Sequence, residues 1–148
     1  MQSIHALKQL YELDDSQWLG ETISLLRNHQ FQQLDLEHLI EELEDLGKEK
    51  KNAVASLLEQ VIRHLLLLQY WTKETEYNTI NWQEEIYNFR TQLRRKITAN
   101  LRNYLEEELN YIYEDALGFV KIKTANTVIF PSQCPYSLEQ LLDRDWLP

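Results

Sequence analysis

Four histidines and a single cysteine are the side chains of this 148-residue chain best suited to bind a metal or move a proton. A carboxylate-bridged dimetal site in a helix bundle uses inward glutamates together with Glu-x-x-His pairs. The residues three before His5, His29, His38 and His64 are Gln2, Leu26, Asp35 and Val61, so no such pair is present. His38 still shares a helical edge with Glu37, Glu41 and Glu44. His38, Glu41 and His64 are therefore the candidates for a metal or small-molecule site, against the plainer meaning of a solvated acidic helix face. His64 lies among Ile62 and the run 65–68, all leucine. It suits a half-buried imidazole with one hydrogen-bond partner, or alternatively a ligand-binding or general-base histidine. Cys134 sits in a turn between Pro131 and Pro135 and would act as a nucleophile only with a basic group beside it.

Other chemistry is disfavoured by absent patterns. Neither HExxH nor paired-cysteine zinc spacing occurs. Gly20, Gly47 and Gly118 stand alone, which leaves no phosphate-cradling loop, and no GxSxG elbow is found. With no catalytic constellation, the chain leans away from being an enzyme, and no cofactor is indicated. Arg90, Arg94, Arg95, Lys96 and Arg102 could meet phosphates from one helical region. A cationic helix C-terminus beside acidic neighbours explains them equally well.

The formal net charge is −9. Residues 1–47 carry −8, residues 48–103 carry +4 and residues 104–148 carry −5. A net negative field repels nucleic acid and anionic membranes at long range. The amino terminus lacks a cationic start followed by an apolar core, and the longest aliphatic run is four leucines. These features predict a soluble, cytoplasmic protein with no membrane segment. One cysteine precludes an internal disulfide.

The elements that would position such residues are helical. Only three glycines and three prolines occur, which disfavours a many-turned β architecture. The expected fold is all-α, a helical bundle around one long, possibly kinked helix with a short capped C-terminal helix, forming one domain over 1–148. The long helix spans residues 35–71, with Asp35 as N-cap and a stripe of Leu39, Leu43, Leu46, Val54, Leu57, Val61, Leu65 and Leu68. At about 1.5 Å per residue it would reach roughly 55 Å. Gly47 is its weak point, but no proline or cap follows, which favours continuity. A short helix over residues 3–11 comes first. A second starts at an Asp14 cap, with Leu13 and Trp18 at staple positions and Leu19, Ile23 and Leu26 inward. Residues 72–80 are polar and suggest a connection before a third helix near Asn81, with Trp82, Ile86, Phe89, Leu93 and Ile97 on its apolar face. A fourth spans about 100–121. Residues 127–130 suit a short extended segment. Ser137 and Gln140 have capping-box spacing for the closing helix.

Several quoted segments also resemble a known family. EELEDLGKEK, the RHLLL segment, Trp82 after a polar stretch and the ending CPYSLEQLLDRDWLP are similar to the bacterial family called domain of unknown function twenty-nine, over about residues 10–148. His64 and Trp82 fall where that family often shows a histidine and a tryptophan. A Lys-Trp pair often seen shortly after that histidine is Leu67-Leu68 here. The resemblance implies an all-helical cytosolic protein and supplies no activity, cofactor or catalytic residue.

Acidic charge, size and exposed-type aromatics together favour a non-catalytic protein–protein interaction module, with a protein partner or self-association. Tyr70, Trp71, Tyr77, Tyr111 and Tyr113 include side chains suited to line a partner groove, Tyr70, Trp71, Tyr77 and Tyr111 being the expected surface. A sharper version is an acidic, antitoxin-like neutraliser of a basic partner. The alternative is a metal- or small-molecule-binding bundle using His38, Glu41 and His64. Nucleic-acid binding through Arg90, Arg94, Arg95 and Arg102 ranks last.

Overall fold

Where no proline interrupts and no turn residues cluster, backbone hydrogen bonds are most simply satisfied within helices. The computed structural model describes residues 3–148 and contains α1 (Ile4–Leu13), α2 (Asp15–Arg27), α3 (Leu36–Tyr70), α4 (Thr72–Lys96), α5 (Ala99–Lys123) and α6 (Leu138–Leu142). A 3-10 turn, Phe31–Gln33, precedes α3. No strand occurs among the described residues. The fold is an all-α bundle, as the sequence predicts.

Local chemistry sets most boundaries. Ser3 caps α1 by accepting from the Ala6 amide, and Asp14 caps α2 by accepting from Gln17. Thr98 caps α5 through the Leu101 amide. Ser137 and Gln140 exchange both bonds of a capping box, 3.1 and 3.0 Å, at the start of α6. Helix α3 runs without a break through Gly47. The left-handed residues His29, Ala125 and Asn126 follow the ends of α2 and α5, where the chain turns away from the helix axis.

Three expectations change. Residues 72–80 are helical, not a connection, and only Trp71 separates α3 from α4. Polarity alone does not break a helix, and this stretch has no glycine or proline. The Thr75 hydroxyl donates to the carbonyls of Leu68 and Trp71, tying the new helix to the end of the old one. Asn81 is accordingly interior to α4. In α2 the buried side is Trp18 and Thr22, whereas Leu19, Ile23, Leu26 and the expected staple residue Leu13 are exposed. In α3 Val54, Val61 and Leu65 of the stripe are buried and Leu57 and Leu68 are half-buried, but Leu43 is 60% exposed and Leu46 also faces solvent.

The packing divides into two compact units, one through Lys48 and one of Glu49–Pro148. The first has a small interior of Leu7, Trp18, Thr22, Leu34 and Asp35. The second holds the main core, built from Val54, Leu58, Val61 and Leu65 of α3, Ile86 and Leu93 of α4, Leu105 and Val120 of α5, and Phe130, Tyr136 and Leu141 of the tail. Helix α6 lies against α4 and α5.

Candidate functional site

The first unit is organised around one carboxylate. Asp35 precedes α3 and is wholly buried. Its Oδ1 accepts from the His38 amide at 3.4 Å. Its Oδ2 accepts from the Trp18 indole N–H at 3.2 Å and lies 2.5 Å from His38 Nδ1. A buried carboxylate demands such donors, because an unpaired charge away from water costs several kcal/mol. The arrangement places a proton on Nδ1 and leaves Nε2 as the free ring nitrogen, without a partner among the described residues. Tyr11 stacks on the His38 ring, with centroids 3.9 Å and planes 14° apart, and meets Trp18 edge-on at 5.1 Å. Its hydroxyl donates to Glu42 at 2.6 Å. That bond, with burial behind it, raises the Tyr11 phenol well above its ordinary pKa.

Of these residues, sequence reasoning found Asp35 as a cap and His38 as a candidate. Tyr11 and Trp18 were not legible as their partners, since they come from other helices. Glu41 remains on the exposed side of α3, and it is Glu42 that joins the network. His64 belongs to the second unit, 26 positions further along α3. Among the described residues no three His, Cys, Asp or Glu side chains converge in a way that could hold a metal.

In the second unit, His64 Nδ1 donates to the Gln60 carbonyl at 2.7 Å, and its ring lies against Phe89. Burial lowers its pKa, while that hydrogen bond partly opposes the shift. Arg90 is buried, and its guanidinium donates to the carbonyls of Leu141, Trp146 and Gln140 at 2.9, 2.7 and 3.0 Å. It clamps the tail and is not available to phosphate, which corrects one member of the arginine set; Arg94, Arg95 and Arg102 are exposed. The Cys134 thiol contacts the Tyr136 carbonyl, and burial pushes its pKa up, opposite to what a nucleophile needs. Burial likewise pushes the Tyr113 phenol up to about 12, with its hydroxyl bonded to the Pro131 carbonyl.

The aromatic candidates separate. Tyr70 and Trp71 line one groove of about 330 Å³ with Thr72, Lys73, Thr127, Val128 and Ile129. Trp71 also stacks on Trp82, with planes 18° apart. Tyr77 projects from α4 and is 81% exposed. Tyr111 belongs to a different, acidic groove with Glu59, Tyr104, Glu108 and Asp115.

The first unit also exposes apolar side chains. Leu36, Ile40 and Leu43 recur at i, i+4 and i+7 on α3, and Leu19, Ile23 and Leu26 do the same on α2; all six are exposed. Helical architecture, an Asp–His network and exposed apolar stripes define an all-α helical protein. The sequence profile of the family described as Domain of unknown function DUF29 matches residues 10–147, and the chain belongs to that family. No curated protein and no solved structure matches it. No helix among the described residues is long and apolar enough to cross a membrane.

Proposed function

We propose that this chain is a non-catalytic, cytoplasmic protein–protein interaction module whose first unit captures a basic, amphipathic helix of another protein. The observation that carries this reading is the pair of exposed apolar stripes on α2 and α3 within a segment of formal charge −8. Contiguous apolar surface of this kind is uncommon on isolated domains and marks binding faces. Glu37, Glu41, Glu44 and Asp45 flank the α3 stripe and are exposed. A helix with leucines on one side and lysines or arginines beside them would cover the stripe and neutralise the carboxylates together. An acidic protein that masks a basic one in this manner is antitoxin-like in its physics. The Asp35–His38–Tyr11 network holds the start of α3 rigid, which lowers the entropy lost on docking.

The test uses a labelled helical peptide of leucines and lysines and a matched one of leucines and glutamates. Fluorescence anisotropy should show binding of the lysine peptide only, weakening as salt rises. The double variant Ile40→Ser, Leu43→Ser keeps the charge and should weaken binding at least about tenfold. Equal binding by that variant would reduce the effect to non-specific charge attraction and end the proposal.

A further inference from the structure

We infer that the tail beyond α5 exchanges between two copies of this chain, with residues 124–126 as the hinge and residues 128–148 docking on the partner's body. The hinge backbone is the first indication. Ala125 and Asn126 are both left-handed, with φ of 52° and 56°. Glycine adopts that region freely and asparagine tolerates it, but the Cβ of an alanine crowds the following carbonyl. No glycine or proline lies between Phe119 and Phe130. Helix α5 can therefore run straight on through the hinge and release that strain, and strained hinges invite exchange.

Burial divides the segment as exchange requires. Residues 125–127 are exposed, whereas Phe130, Tyr136, Leu138 and Leu141 beyond them are buried. The tail is also bonded to the body. Three of its carbonyls accept from Arg90, the Pro131 carbonyl accepts from the Tyr113 hydroxyl, and the Tyr136 hydroxyl donates to Gln69 at 2.8 Å. A tail that merely left would strand the buried guanidinium, so an opened body needs a tail of this same sequence. That requirement identifies the partner as a second copy. Docked contacts are alike in either state, and the difference lies at the hinge. There Ile122 and Ile129 are 80% and 94% exposed. Seven positions apart, they share one face of a straightened α5, which the equivalent face of the partner would cover. Exchange is reciprocal, so the assembly closes at two copies. The inference is independent of the function proposed for the first unit.

Refolding the full chain from urea at low and high concentration, followed by sedimentation velocity, tests it. High concentration should yield a species of twice 17.8 kDa that persists after dilution, because its release needs both tails to undock. Ala125→Gly relieves the hinge of the closed monomer and should lower the dimer fraction at least about fivefold. Arg90→Met weakens the hold on the tail, so the dimer should dissociate at least about tenfold faster. Monomer alone after refolding at every concentration would overturn the inference. So would a dimer that Ala125→Gly leaves equally abundant. A dimer that Arg90→Met releases no faster would also overturn it, since copies joined only at their surfaces have no tail to undock.

Discussion

His38 Nδ1 lies 2.5 Å from Oδ2 of Asp35, a carboxylate with no exposed surface. One residue thereby performs two tasks at the start of α3. Its Oδ1 accepts a first-turn amide, while Oδ2 holds both the imidazole and the indole of Trp18. The helix start, the aromatic stack and the interior of the first unit thus share a single anion.

Removing that anion should be costly. Asp35→Ala deletes a cap and leaves the Trp18 indole N–H buried without an acceptor. The expected loss is about 2–4 kcal/mol, from a cap and a broken buried network. Hydrogen exchange should show the loss in the first unit, with amides near Val61 and Leu65 unaffected. Asp35→Asn, which keeps an acceptor for the cap, should cost less.

Gly47 offers a gain. It lies within α3, and a Cβ built there meets nothing within 4 Å. Gly47→Ala should stabilise the helix by about 0.5–1 kcal/mol through reduced freedom of the unfolded chain and better helix propensity. Thermal melting and exchange rates across residues 44–51 check the sign. A loss of stability would mean that the position needs flexibility.

Arg90→Met should loosen the tail. The methionine fits an apolar surrounding but leaves the carbonyls of Gln140, Leu141 and Trp146 without their donor. A loss of about 3 kcal/mol is expected from hydrogen bonds to a charged group. Limited proteolysis should then cut beyond Pro135 while α3 to α5 persist. Tryptophan fluorescence should report greater solvent access at Trp146.

His64 makes stability depend on acid. Burial lowers its pKa in the folded chain below the ordinary 6.5. Between those two values the unfolded chain binds more protons, so stability rises with pH across that window. Above 6.5 the group contributes no slope. As pH falls from there the folded state is progressively disfavoured, until the folded pKa is passed. Urea midpoints should therefore fall on acidification, and His64→Gln should flatten that part of the profile.

Much of the architecture is written locally. Asp14, Asp35 and Ser137 are legible as caps because a cap is a matter of three or four adjacent residues. The same locality explains the failures. In α2, the sets Leu19, Ile23, Leu26 and Trp18, Thr22, Leu25 have identical helical spacing and lie about 100° apart. Hydrophobicity selects the first, yet the Trp18 bond to Asp35, 17 residues away, selects the second. Residues 72–80 look like a connection because they are polar, yet they form the start of α4. Arg90 resembles a phosphate contact because its acceptors lie 50 or more residues downstream. Of the candidate network, Asp35 and His38 are neighbours on one helix turn, whereas Tyr11 arrives from α1 by tertiary packing that no short window contains.

The long reach of Arg90 has a bearing on biosynthesis. A ribosome finishes α4 and α5 before it adds Gln140, Leu141 and Trp146, the groups that quench the guanidinium. Any truncated translation product ending before them would carry a cation facing hydrocarbon, with Ile86, Leu93 and Leu105 poorly sealed. Such a fragment would open readily and be degraded. The last residues to leave the ribosome thus supply all three carbonyl partners of Arg90.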